Sequence, residues 1–299
     1  MTRSKRIWIL FWGGRVDFLL NEQSLYGQFQ SMEAFLESLE ENSLCFQQIH
    51  QCKNGRIWKT ADFYKCRVSG ELTVGDLKGI PCTDALRRLR IQLDKEIETE
   101  PYWDEAPVHD YGSGYYLGEM DVSATAVAEA AEKGQGLISF RCPEYEDQRL
   151  VVRKEDQEYQ VYSIYSLRYL AETLGDQLEL DGDTRLKIRY RGTRVDCSVL
   201  EREYGSRILE KEEYASLVAT LDKLAAHESW DSIALDDGLM YKKYTPASLA
   251  DDWFRNTQYR DQTIMKFRFS QKLRGFGYRK GERFRLLRLE RDHRRSDKG

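Results

Sequence analysis

The sequence predicts a mixed α+β fold on three observations. Apolar residues recur at helical spacing in several separate segments. They alternate at strand spacing, or form short buried runs, in others. The two kinds do not follow one another in a regular strand–helix–strand cycle, so mostly antiparallel sheets are expected.

In chain order, "IWILFW" (Ile7–Trp12) reads as a buried first strand. Six apolar residues are short for the core of a signal peptide, and Gly13-Gly14-Arg15 replaces a small-residue cleavage site. Gln28–Leu44 is an amphipathic helix with Phe29, Met32, Phe35, Leu36 and Leu39 on one face. Thr83 caps a second helix, Asp84–Glu98, striped by Leu86, Leu89, Leu93 and Ile97 and stopped by Pro101. Pro101–Gly118 has the glycine, proline and aromatic content of a long loop. Its carboxylates and His109 make it a place where function can sit, although a plain, ordered surface loop is the preferred reading.

Ser123–Gly134 is a short helix with a serine cap and a terminal glycine. The strand "GLISFRC" follows, then a hairpin over Arg149–Ile164 turning at Lys154–Gln157. Ser163–Gly175 is a capped helix, and Glu210–Glu228 is a longer one built on Tyr214, Leu217, Val218, Leu221 and Leu224. Ser229–Gln262 is rich in loop residues. The chain then enters a basic three-stranded meander. A domain boundary near Glu203–Gly205 is expected, giving residues 1–203 and a basic C-terminal α+β domain, 204–299.

With 41% hydrophobic and 32% charged residues, the 299-residue chain has an ordinary globular composition. No apolar run approaches the roughly 18–20 residues of a membrane span, so no membrane association and a cytoplasmic location are expected. The six cysteines show no CxxC spacing and the four histidines no HExxH. Reduced thiols, no metal and no cofactor are therefore expected, and no nucleotide-binding glycine loop occurs.

Charge is unevenly placed. Residues 265–299 hold 13 Lys/Arg against 4 Asp/Glu, whereas the preceding residues hold 33 against 46. Alternate strand residues share a face. In "MKFRFS", Lys266 and Arg268 oppose Met265, Phe267 and Phe269. In "ERFRLL", Arg283 and Arg285 oppose Phe284 and Leu286, and Lys280-Gly281 suits a hairpin turn. Lys272 lies between the first two strands. In "TRLKIRYRGTR", read as a strand, Arg185, Lys187, Arg189 and Arg191 fall on one face opposite Leu186, Ile188 and Tyr190. Such rows repel unless anions neutralise them. Cations interleaved with aromatic rings suit nucleic acid, RNA or DNA, and arginine also forks onto phosphate oxygens. The competing reading is a solvated face, or one paired to acidic neighbours such as Glu96–Glu105.

"KFRFSQKLRGFGYRKGERFRLLRLERDH" (Lys266–His293), with the helix Glu210–Glu228 before it, resembles the RelE/HigB-like mRNA interferases of bacterial toxin–antitoxin systems. The resemblance spans under a third of the chain and is topological. About 34 residues separate the helix from the strands, and the first 200 residues have no counterpart in those small toxins. The whole chain also looks like larger bacterial phage-defence proteins. The resemblance implies a nucleic-acid-binding effector that cleaves RNA without metal, with Arg274 and Arg279 on phosphate, Tyr278 stacking a base or relaying a proton, and His293 as acid/base. It also implies a protein partner, an antitoxin or defence-complex subunit. The alternative is a non-catalytic adaptor docking an acidic partner through the same sheet. The spacing of Arg288 and His293 is discounted because its context reads as strand and tail. Asp236-Asp237 before Lys242-Lys243 is only faintly like a metal-dependent nuclease core, lacking a separate strand-borne acid and an ExK signature.

Overall fold

The computed structural model describes residues 14–25 and 32–292, so the expected strand Ile7–Trp12 lies outside the described residues. The fold is α+β, and most strand pairings are antiparallel. Among the described residues no helix is long and apolar enough to cross a membrane. The chain divides into two compact units, Met1–Glu179 and Leu180–Gly299. This division comes before the expected boundary at Glu203–Gly205, because the segment between packs and pairs with the second unit, as described below.

In the first unit the strands are β1 (Val16–Asn21), β2 (Gly55–Trp58), β3 (Arg67–Ser69), β4 (Leu72–Thr73), β5 (Tyr115–Leu117), β6 (Met120–Asp121), β7 (Gly136–Ser139), β8 (Gln148–Lys154) and β9 (Gln157–Ile164). The helices are α1 (Met32–Gln51), α2 (Asp84–Glu98), α3 (Ala126–Lys133) and α4 (Leu167–Leu174). A seven-stranded sheet runs β2-β1-β7-β9-β8-β5-β6. Its first four strands are mutually parallel, and the β8–β9 hairpin turns at the expected residues. α1 continues past the expected Leu44, because Cys45, Phe46 and Ile49 prolong its buried stripe. α2 has the expected bounds, and the Thr83 hydroxyl accepts from Leu86 N–H. For α3 the cap is Thr125 rather than Ser123, whose hydroxyl bonds Asp121 and Tyr115 N–H instead. Gly134 ends it with φ +64°, a conformation glycine adopts freely. Ser166 caps α4.

The expected loop Pro101–Gly118 carries β5 and a buried cluster. His109 Nδ1 lies 2.6 Å from Glu129 Oε2, both side chains are sealed from solvent, and Lys133 Nζ completes the ion pair at 2.6 Å. Burial pushes the Glu129 carboxyl up, but the His109 N–H and the Lys133 ammonium outweigh it and hold it below its ordinary range. Rings of Trp103, Tyr111 and Tyr115 surround the imidazole. The arrangement reads as a buried brace for this loop. No disulfide joins any two of the six cysteines.

The second unit contains α5 (Gly182–Arg189), α6 (Lys211–Ala226), α7 (Trp230–Ala234), β10 (Val195–Asp196), β11 (Lys242–Lys243), β12 (Ile264–Arg268), β13 (Arg274–Lys280) and β14 (Arg283–Glu290). Its sheet runs β10-β14-β13-β12-β11. The meander is as expected, with Gly281 at φ +60° in the β13–β14 turn. β10 pairs parallel to β14, which carries Val195 and Asp196 into this unit.

The cationic strand expected over 185–191 is a helix. Asp181 accepts from Thr184 N–H at 2.7 Å and caps it. Leu186 and Tyr190, four residues apart, are the side chains it buries with α6, among Leu217, Leu221 and Leu224. Cations spaced by two lie about 200° apart around a helix, so Arg185, Lys187, Arg189 and Arg191 do not form one face.

Phe267, Phe269, Phe284, Leu286 and Leu289 of the sheet join that core. Alternate residues Ile264, Phe276 and Tyr278, with the bulge residue Leu287, join a second core with Tyr244 and Phe254, flanked by Trp253 and Tyr259. Both faces of the sheet are therefore covered, one by helices and the other by the irregular segment 244–262.

Candidate nucleic-acid interface

The strand register fixes which charges meet. Arg268 is opposite Arg274, Lys266 opposite Phe276 and then Arg288, and Ile264 opposite Tyr278 and then Arg285. Lys280 is opposite Arg283, and Arg274 opposite Glu290. Antiparallel partners project to the same side. Lys266, Arg268, Arg274, Arg283 and Arg285 therefore share a face with Tyr278, as the alternation predicts. Arg279 projects to the other side, with its guanidinium 4.6 Å from the Trp230 ring and Nη2 2.7 Å from Glu282 Oε1.

Sharing a face does not make one open patch. Arg285 Nε bonds Asp196 Oδ2 at 3.1 Å, and its Nη1 donates to Tyr278 Oη at 3.1 Å. Burial pushes the Asp196 carboxyl up, but Ser198 and the Arg285 guanidinium hold it below its usual range. Lys266 is buried beneath segment 244–262. Arg274 Nη1 donates to the carbonyls of Ser270, Gln271 and Leu273, closing the β12–β13 hairpin. In α5, Arg189 pairs with Asp222 at 2.8 Å and Arg185 donates to Leu180 O at 2.9 Å, while Lys187 and, just past the helix, Arg191 are exposed.

The catalytic set proposed from the resemblance is not assembled among the described residues. Tyr278 and Arg279 face opposite ways, and Tyr278 is buried with its hydroxyl engaged by Arg285. Arg274 and Tyr278 are four strand residues apart, about 13 Å, too far to grip one phosphate. His293 lies outside the described residues. Asp236 pairs with Lys223 at 2.6 Å and His227 at 3.0 Å, and the Lys223 ammonium leads in pulling it down to about 2. Ser232, His227 and Asp236 form a hydrogen-bonded row, but Ser232 Oγ donates to Ser229 O within the cap of α7. That row serves the helix end. Among the described residues no group of three or more His, Cys, Asp or Glu side chains is placed to hold a metal.

One end of the sheet does gather cations. Arg268 and Arg274 are in direct register, and exposed Lys272 lies in the hairpin that joins their strands. Arg268 has no carboxylate at salt-bridge distance among the described residues. Glu290 is the acidic residue in register beside Arg274.

Sequence reasoning noted Arg288 only for its spacing to His293 and missed its packing: among the described residues it is the most enclosed arginine. It stacks on Tyr204, Trp253 and Phe254 at 4.7–5.0 Å and pairs with Glu201 at 2.9 Å. The aromatic content of 244–262 was the available signal. No protein-family model matches the chain, and no match is found among curated proteins or solved structures.

Proposed function

We propose that the second unit binds single-stranded nucleic acid, RNA first, at the end of its sheet formed by Arg268, Lys272 and Arg274. The observation that carries the reading is the register of Arg268 against Arg274. Like charges directly opposed on adjacent strands are unfavourable, and a phosphate beside them would relieve that repulsion while accepting from the Arg268 guanidinium. The activity proposed is binding. A role as effector of a toxin–antitoxin or anti-phage system rests on the C-terminal resemblance alone.

Fluorescence anisotropy of a labelled oligoribonucleotide, titrated with salt, tests this. Arg268→Ala/Lys272→Ala, which leaves the hairpin bonds of Arg274 in place, is expected to weaken binding and to reduce the log–log salt slope by about 0.7 for each phosphate no longer neutralised. Wild-type protein without affinity at low salt, or a double variant that binds as wild type does, overturns the proposal. Binding of poly-glutamate but not RNA would instead favour docking of an acidic protein.

A further inference from the structure

The first unit contains a second candidate site, independent of the basic sheet. β1 lies between β2 and β7 in the parallel half of the sheet. The connection from β1 to β2 runs through α1, and β7 is entered from α3. α3 packs on the Leu19 side of β1. Phe18, on the opposite side of the same strand, crowds Gly136 together with Leu174 of α4. α1 packs with α4 on that side, so the helices connecting β1 to β2 and leading into β7 lie on opposite faces, and in open α/β sheets the crevice at the carboxyl ends beside such a strand is where ligands bind.

Those carboxyl ends are rigidly tied. Asn21 donates to Ser139 Oγ at 2.9 Å, Ser139 Oγ meets Ser163 Oγ at 2.6 Å, and Asn42 donates to Ser139 O at 2.9 Å. All four side chains are buried. Directly after β1 comes Glu22. Its Oε1 accepts from Ala126 N–H, at the start of α3, at 2.8 Å. Its Oε2 is closed off from solvent and has no hydrogen-bond partner. Glu22 lines a cleft of about 440 Å³ with Gln23, Cys66, Arg67, Met120, Cys142, Glu144 and Tyr145, a volume within the range of small-molecule sites.

We propose that this cleft binds a small molecule through a protonated amine that donates to Glu22 Oε2, with Met120 and Tyr145 against its apolar body. An unpaired carboxylate oxygen requires a donor. The charged lining is Glu22, Glu144 and exposed Arg67, and Asp104 adds negative potential at Glu22. An anion would meet the carboxylates, and a cation neutralises them. Burial pushes the Glu22 carboxyl up to about 7. The neighbouring thiols of Cys66 and Cys142 and the Tyr145 phenol are each pushed by burial to about 12, and Glu144 is held below its usual range by Cys142. Among these groups Glu22 alone titrates near neutrality. Amine affinity should therefore rise about tenfold from pH 6 to pH 8 as the carboxyl loses its proton.

The test uses full-length protein with 13C-methyl methionine and follows the Met120 methyl signal, assigned with Met120→Leu. The probes are n-butylammonium and butyrate at pH 6 and pH 8. Saturable shifts with n-butylammonium alone, tighter at pH 8, are expected for wild type. For Glu22→Gln, which keeps the bond from Ala126 N–H, affinity should fall at least tenfold and lose its pH dependence. Retained methyl dispersion in the variant separates that loss from misfolding. No saturable Met120 shift, equal binding of butyrate, or unchanged binding in Glu22→Gln overturns the proposal.

Discussion

Arg288 Nη2 lies 2.9 Å from Glu201 Oε2, and its guanidinium also donates to Trp253 O at 2.7 Å. The pair joins β14 to the chain that follows β10, with three aromatic rings around the cation. Removing one member of such a pair leaves the other charge partly desolvated. Arg288→Ala should cost about 3 kcal/mol in urea unfolding. Arg288→Met/Glu201→Leu should recover part of that loss, since an apolar pair needs no partner. Equal costs for the single and double variants would place the energy in the stacked rings instead.

Glu22 makes the first unit pH-sensitive. Its folded carboxyl titrates near 7, against an ordinary value of 4.5, because burial disfavours the charge. The folded state therefore holds a proton that the unfolded chain releases. This contribution is fully present below about 4.5 and is lost as pH rises through about 7, on the order of 3 kcal/mol in all. Glu22→Gln should match wild-type stability at pH 4.5 and exceed it at pH 8. Parallel pH–stability curves for the two proteins would contradict this assignment.

Two glycines of the last hairpin should respond very differently to alanine. A Cβ at Gly277 would lie 2.2 Å from Arg285 O and 2.7 Å from the Phe284 ring, at the bulge between β13 and β14. The backbone must move, and Gly277→Ala should cost about 3 kcal/mol. At Gly281 nothing lies within 4 Å, and only the left-handed φ of +60° is at stake. Gly281→Ala should cost about 1 kcal/mol. Thermal unfolding of both variants checks the ranking.

Glu129 braces His109, Lys133 and two backbone N–H groups from a fully buried position. Glu129→Gln should destabilise the first unit by about 3–5 kcal/mol. It should also alter the fluorescence of Trp103, whose ring centre is 5.6 Å from the imidazole. Because the folded carboxyl titrates below its ordinary range, its stabilisation is present above the unfolded value of 4.5 and disappears as pH falls through the lower folded one. The acid limb of the stability curve should flatten in the variant.

Local signals in the sequence were reliable where local chemistry decides the outcome. The Thr83 cap and Pro101 bracket α2, and period-two alternation places Lys266 and Arg268 opposite Phe267. The same alternation misled over residues 185–191, where Leu186 and Tyr190, four residues apart, satisfy strand and helix spacing alike. The deciding feature was Asp181, a cap with Asp183 in the first turn behind it. Charge pairing was not legible. Asp196 and Glu201 reach their arginines across 89 and 87 residues, and Ala126 reaches Glu22 across 104. Partnerships over such separations leave no periodic trace. A cation-rich strand therefore looks bare until its distant carboxylates are placed.

The segment 244–262 roofs the charged side of the terminal sheet. What the second unit offers a visitor is accordingly the end of its sheet, around the β12–β13 bend, and not its broad face. Bends lengthen, shorten and change residues while the packed layers beneath stay intact. Recognition built there can be retuned by a few substitutions around Lys272 without unpicking the scaffold that displays them.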